Sequence, residues 1–564
     1  MFETIIFFLT FYLLLISVIG YGLMFQNLCF AKINDMNDQK VIFTGFYGIF
    51  IITFISLITS LLVAHNFIHN ILLHFIGILF FIFLNVKNKK NFLKIIFIIS
   101  FFVISALLIS KTHDDFSYYH LPFTKYLTEH KVIFGLGNLG HGYNFVSSLF
   151  FLNSTFYLPL IEFFTFHFTL IFFLIFFNFF LFKEILFEKN HEITKFLYLF
   201  AFAFFNLSFN RLAEFGTDKA GQILIVILII KIFQHVCFDN DKFRVNNIIF
   251  LIPLLGLCIS FKTYFLPYIL FGLTILILDS KKSRNIKLII YSKSFAFFFL
   301  FLVTYFAHHF ISTGCLISPL SFTCFGDNFN WAGKNDYFKE LSFFLEQWAK
   351  GGATPNFRVE NPTEYVENLN WVSNWYSEYF FRKGLDQLGI LISVFLIIFI
   401  FFKKLKYSNK KFVENNKILF FYSIIIIIFL IWFFKHPSLR YGGYSICFLL
   451  LSIPTALIFF KFDNKNFFKN KFKFIVVITV IIFNFKNIDR IDKELNRLDL
   501  YKFNNFPYFT IFEKKFIYEK YSSGLVIYKT NSHCWDTPTP CVANLNSKFK
   551  VEKKNGYYFI SNNY

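Results

Sequence analysis

Long apolar runs recur along almost the whole chain, and nothing else in the sequence limits the fold so strongly. A run of about 17–25 apolar residues crosses the hydrocarbon core of a bilayer as a helix, because lipid offers no partner to an unpaired backbone N–H or C=O. About fourteen segments meet that length. They lie near 4–24, 42–63, 67–86, 92–110, 158–182, 195–211, 220–236, 247–261, 263–279, 291–312, 385–402, 418–435, 443–461 and 472–486. The interruption at Lys262 makes the eighth and ninth either two spans or one re-entrant, broken element. Of 564 residues, 56% are hydrophobic and 16% charged, and the mean hydropathy is +0.55. These values exclude an ordinary soluble globular protein. The 95 phenylalanines follow from a low-GC codon bias that also enriches Ile, Lys and Asn, so no function is read from them. The expected fold is an all-α polytopic membrane protein.

Charge gives the orientation. The first run is preceded by Glu3 and lacks a basic leader, so it reads as a retained span with its N-terminus outside. Lysines and arginines cluster at 87–94, 183–195, 281–287, 403–417 and 465–473. With alternating spans all these clusters fall on one side, which is the cytoplasmic one. The net charge of +21 is therefore a loop bias and does not point to nucleic acid. The other side receives outer loops 111–157 and 313–384, a short turn at 436–442 and the tail from about 488. A transmembrane domain over 1–487 and a periplasmic C-terminal domain over 488–564 are expected. The outer segments are the polar, aromatic-rich ones, with Trp348, Trp371 and Trp375 in the second loop.

Cysteines test that orientation. Cys29, Cys237, Cys258 and Cys447 lie in or beside spans and read as packing residues. Cys315 and Cys324 share an outer loop, while Cys534 and Cys541 bracket a stretch holding Pro538 and Pro540. Two disulfides, Cys315–Cys324 and Cys534–Cys541, are expected in an oxidising compartment. Zinc is disfavoured because the usual C-x-x-C spacing is missing. In the tail, 523–528 reads as a strand and Asn555-Gly556 as a hairpin turn between strands, so the C-terminal domain is expected to be small and α/β or β-rich.

Chemistry is sought first in His113-Asp114-Asp115-Phe116-Ser117-Tyr118-Tyr119-His120-Leu121-Pro122, where a span ends. Ionisable groups kept at a bilayer edge are costly and usually have a task. Two readings stand. Asp114 or Asp115 caps a helix beginning near Ser117, or the paired acids raise one another's pKa and supply a general base. Gly135-Leu136-Gly137-Asn138-Leu139-Gly140 matches G-x-G-x-x-G, but a loop between spans offers no βαβ unit, so the dinucleotide reading is rejected. Asn144, Ser147 and Ser148 open a short amphipathic helix. Arg440, in the turn at 436–442, either grips a phosphate with its planar fork or forms an ion pair or snorkels. Lys262 is either a second phosphate contact or another snorkelling side chain. Arg211, Glu214, Asp218 and Lys219 share a turn and are expected to pair among themselves, and His308 and His309 to be interfacial. No H-E-x-x-H, Walker or G-x-S-x-G pattern occurs.

These pieces together resemble the GT-C class of membrane glycosyltransferases, in which an acidic pair follows an early span on the outer face. Asp114-Asp115 matches that pair, although four of the expected spans precede the loop, three more than the class usually has. The chain is also similar to a group of bacterial membrane proteins through Asp115-x-x-x-Tyr119-His120, Gly135-Leu136-Gly137-Asn138-Leu139, Asn144-x-x-Ser147-Ser148, Trp432-Phe433 with Pro437 and Arg440, and Cys534-Trp535 with Pro538, Pro540 and Cys541. The resemblance implies a GT-C-like fold in a bacterial cytoplasmic membrane. It also implies inverting transfer of a sugar from a polyprenyl-phosphate donor to a glycan, lipid or protein acceptor on the periplasmic face. Asp114 is then the base and Asp115 its orienting partner, while Arg440 and Lys262 hold phosphate. His113, Tyr119, His120 and Asn138 line the substrate, and a divalent metal ion is optional. The alternatives are a transporter or flippase of lipid-linked glycans, or a polymerase of preassembled glycans.

Overall fold

The computed structural model describes residues 2–30, 41–84, 89–187, 190–214, 216–238, 241–272, 274, 282–326, 328–354, 357–402, 415–462, 471–496 and 509–562. The fold is mostly helical, at 72%. Among the described residues, seven helices are long and apolar enough to cross a membrane: Phe2–Phe30, Phe163–Leu186, Thr217–Cys237, Lys293–Thr313, Val372–Ile400, Asn416–Lys435 and Gly443–Phe460. Shorter apolar helices cover Thr44–Ser60, Phe67–Phe83, Asn91–Ala106 and Asn247–Phe261. A further helix at Glu192–Ser208 has 17 residues, and Phe472–Asn496 runs ten residues past the apolar stretch that ends at 486. The expected span at 263–279 begins as a 3-10 helix, Thr263–Leu270; most of its remainder lies outside the described residues.

The helices hold together through ring-on-ring contact and close backbone approach. Phe11 meets Phe168 edge-on at 5.3 Å and Phe30 meets Phe250 at 4.8 Å, the geometry aromatic quadrupoles favour. Phe2–Phe30 packs against both Thr44–Ser60 and Phe67–Phe83 across glycines. A side chain at Gly20 would strike the carbonyl of Gly77, and one at Gly48 the carbonyl of Val18. Small residues at such crossings are how apolar helices associate where no hydrophobic force separates protein from solvent. On Phe67–Phe83, Ile68, Leu72, Phe75 and Ile76 stay exposed along one face, a lipid-facing stripe.

The segments expected outside pack against one another. The Phe134 N–H donates to the Tyr558 carbonyl, the Gly135 N–H to Ile311, and the Ile560 N–H to Phe134. Lys125 pairs with Asp536, and Trp375 Nε1 donates to the Pro437 carbonyl at 2.8 Å. Both expected disulfides are present. The tail contains an antiparallel pair, Ile517–Lys520 with Val526–Lys529, joined in parallel by Cys541–Val542. A hairpin, Phe549–Lys554 with Tyr557–Asn562, turns through Asn555 and Gly556 at φ 50° and 78°. Two successive left-handed residues are what a tight two-residue hairpin turn requires.

Three local expectations change. Trp371 and Trp375 are buried, and the helical stretch begins at Val372, before the expected 385, running through the π-helix Trp375–Gly384 into Leu385–Phe402. The helix Ser148–Ser154 is almost wholly buried and not amphipathic. His308 and His309 are 2% and 1% exposed, with His308 hydrogen-bonded to the Leu57 carbonyl and His309 to the Tyr305 hydroxyl, so neither is interfacial.

Candidate active site

Four charged side chains from four distant stretches meet in one network. Asp115 stands immediately before the π-helix Phe116–His120, which continues into Leu121–Glu129. Its side chain makes no cap hydrogen bond and instead accepts from Arg440 Nη2 at 2.5 Å. Arg440 Nε donates to Asp218 Oδ2 at 2.7 Å. Lys262 Nζ donates to the other oxygen of Asp218. Of the readings open for Arg440, the resting structure contains the ion pair.

Each member is held by local structure. Asp218 lies in the first turn of Thr217–Cys237, where helix N–H groups favour an acid, after Gly216 at φ +51°. A side chain at Gly216 would run into the His120 ring. Lys262 adopts an extended backbone between Asp241–Phe261 and Thr263–Leu270, and that break turns it toward Asp218. The turn carrying Arg440 is clamped from several sides. Gln222 Nε2 donates to the Leu439 and Arg440 carbonyls at 3.2 Å each, Trp432 Nε1 donates to the Ser438 carbonyl, and the Leu439 N–H donates to the Tyr379 hydroxyl. Such second-layer bonds set a functional side chain in place before any ligand arrives.

Burial pushes the Asp115 carboxyl up, but the Arg440 guanidinium outweighs it, and the net position is below the ordinary carboxylate range. Arg440 is the decisive partner because both histidines are held neutral. Burial pushes His120 down to about 3 and also lowers His113. The Asp115 N–H donates to His113 Nδ1 at 3.1 Å, so that nitrogen acts as an acceptor. Its 3.4 Å approach to the Asp115 carboxylate is therefore no ion pair. Arg440, facing Asp218 and Asp115, stays protonated, its pKa raised well above normal despite burial.

A cavity of about 180 Å³ adjoins the network, lined by Asp115, Lys262 and Arg440 together with Tyr119, Tyr264 and Trp348 among others. Tyr264 stacks on Tyr441 at 4.3 Å. Asp114 is not in it. Successive residues of a helical turn diverge by about 100°, and Asp114 faces a separate open hollow with Lys111, His533 and Trp535. Asn138 is also elsewhere. Its amide donates to the Trp331 and Ile560 carbonyls and accepts from Asn562, which makes it a clamp between loop and hairpin outside the cavity lining. His120 is buried behind Tyr119 and Phe150, its Nε2 without a hydrogen-bond partner among the described residues. Asp218 is the member the sequence reading assigned to other partners. Arg211 does pair with Glu214, but Lys219 turns away to the Ser208 carbonyl, leaving Asp218 to Arg440 and Lys262.

Among the described residues no group of three or more His, Cys, Asp or Glu is arranged to hold a metal ion. A divalent cation at this network would have to displace Arg440 or Lys262 from carboxylates they already neutralise, so the residues present do not fit one.

Apolar helices, a loop assembly stapled by two disulfides and a part-buried charge network beside a small cavity define a multi-pass membrane protein. The chain belongs to the family of a domain of unknown function (DUF8201), whose model matches residues 4–447 and so includes all four charges but not the Cys534–Cys541 loop. No curated protein and no solved structure matches it.

Proposed function

We propose that this protein is a membrane glycosyltransferase that moves a sugar from a polyprenyl-phosphate donor to a cell-envelope acceptor at the periplasmic rim of a bacterial cytoplasmic membrane. One observation supports this above the others: Asp115 and Arg440 meet at a cavity beside helices apolar enough to sit in lipid. The two disulfides among the loops favour an oxidising compartment for that side.

The chemistry follows from charge balance. Asp115 and Asp218 cancel Arg440 and Lys262. A donor phosphodiester adds one negative charge and competes for the guanidinium. Arg440 has donors enough to keep Asp218 at Nε while its outer nitrogens turn to phosphate. Asp115 then loses the cation that depressed its pKa and regains proton affinity. The acceptor hydroxyl attacks the anomeric carbon as its proton passes to Asp115. The carbon–oxygen bond to phosphate breaks, and polyprenyl phosphate leaves carrying the electron pair against Arg440 and Lys262. A single displacement of this kind inverts the anomeric centre. On this account Asp115 is the base, and Asp114, in its separate hollow, is not.

The test is a comparison of envelope glycans between wild type, a deletion strain, and the deletion complemented with Asp115→Asn. Loss of one sugar in the deletion, unrestored by a normally expressed Asp115→Asn protein, is expected. Full restoration would make the network a structural lock and remove the catalytic reading.

A further inference from the structure

We infer, resting on the transferase reading above, that the donated group is a single uncharged sugar ring recognised by Ser318, His141 and His309. Among the described residues, Ser318 Oγ, His141 Nε2 and His309 Nδ1 are buried without a hydrogen-bond partner, and all three residues line the same cavity as Asp115 and Arg440. Ser318 and His309 are 3% and 1% exposed. A fold rarely leaves three buried polar atoms unmet in one place unless a ligand meets them.

Their chemistry specifies the ligand. Serine and neutral imidazole both donate and accept, which suits hydroxyl groups and suits no net charge. Burial lowers the pKa of His141, so it is neutral at ordinary pH. The charged residues in the lining are Asp115, Lys262 and Arg440. A uronic acid would need a cation of its own, yet both cations are committed to Asp218 and the donor phosphate. A free amino sugar would bring a cation toward Arg440 and Lys262. Trp348 and the Tyr264–Tyr441 stack add aromatic faces, which suit the apolar face of a pyranose ring. At about 180 Å³ the cavity is smaller than the ~300–1,000 Å³ of sites for drug-sized ligands, which limits it to one ring.

The test uses the full-length protein in nanodiscs and a set of short-chain polyprenyl phosphodiesters: a methyl ester, a hexosyl ester, a hexuronosyl ester and an aminohexosyl ester. Affinity is read by displacement of a fluorescent polyprenyl phosphate. The hexosyl ester is expected to bind about tenfold or more tighter than the methyl ester, and the two charged sugars no tighter than methyl. Ser318→Ala and His141→Ala should each shrink the hexosyl advantage while methyl ester affinity stays within about twofold. Tighter binding of a charged sugar, or a hexosyl advantage untouched by both variants, overturns the inference and leaves lipid-phosphate binding standing. If the unsubstituted polyprenyl phosphate does not bind at all, the transferase reading fails, and this inference with it.

Discussion

Arg440 donates to Asp218 across 2.7 Å although 222 positions separate them, and Asp218 is the member of the network on which the other contacts depend. It touches both cations, one through each carboxylate oxygen, and its side chain is 3% exposed. Breaking a buried pair by deleting one partner leaves a desolvated charge and costs about 3–5 kcal/mol. Asp218→Ala should therefore lower thermal stability in detergent, whereas Asp218→Asn, which keeps shape and one acceptor, should lose less. Equal melting of wild type and Asp218→Ala would mean that Arg440 and Lys262 find other partners.

Asp114 and Asp115 should separate cleanly in a transfer assay. Asp115→Asn removes the base and should reduce turnover by about 10²–10⁴-fold, the usual worth of general base catalysis. Asp114→Asn, in its own hollow beside His533, should stay within about threefold of wild type. The measurement is initial rate with saturating donor at matched protein level. The reverse order of effects would return the base to Asp114.

Those contrasts show what the sequence could and could not disclose. Apolar helices were legible because lipid tolerates few backbone solutions, although of the about fourteen expected spans only seven are long and apolar enough to cross a membrane among the described residues. The disulfides, the hairpin at Asn555-Gly556, and Asp115, Lys262 and Arg440 as notable charges were likewise accessible. Asp218 was not. Arg211, Glu214, Asp218 and Lys219 carry two charges of each sign in one short turn, which suggests neutralisation among themselves; only the fold shows Lys219 turned to Ser208 instead. Which of two adjacent acids faces the cavity depends on a π-helical phase that no pattern in Asp114-Asp115-Phe116 encodes. Asn138 is offered as a substrate contact by the family resemblance alone, whereas its amide is spent on carbonyls 193 and 422 positions away.

Acid should destabilise the protein in part through His120. The folded-state pKa of His120 is about 3 because of burial, against about 6.5 unfolded. Between those values the unfolded chain binds a proton that the folded one refuses, so stability falls as pH drops through this window. The slope from one such group is at most about 1.4 kcal/mol per pH unit. Below pH 3 this contribution levels off. His120→Phe, which preserves ring packing against Tyr119 and Phe150, should melt with a shallower dependence on pH from 6 to 4. Parallel curves for the two proteins would show that His120 is protonated in the fold.

The Cys534–Cys541 loop lies beyond the stretch matched by the family model. The bridge closes a loop with a sequence separation of 7. Loop closure of that size restrains the unfolded chain by about 2.5 kcal/mol. Inside the loop, Asp536 pairs with Lys125, and Thr539 donates through both N–H and hydroxyl to Glu129. Trp535 is held at φ +47° with its N–H on the Ser117 carbonyl, two residues from Asp115. The bridge therefore braces the segment that carries Asp115. A Cys534→Ser, Cys541→Ser double variant should be cut by protease within the tail under conditions that leave wild type intact. Donor binding should weaken less than transfer, because Arg440 and Lys262 are anchored independently of the tail. If binding and transfer fall together, the tail supports the whole cavity rather than the Asp115 segment alone.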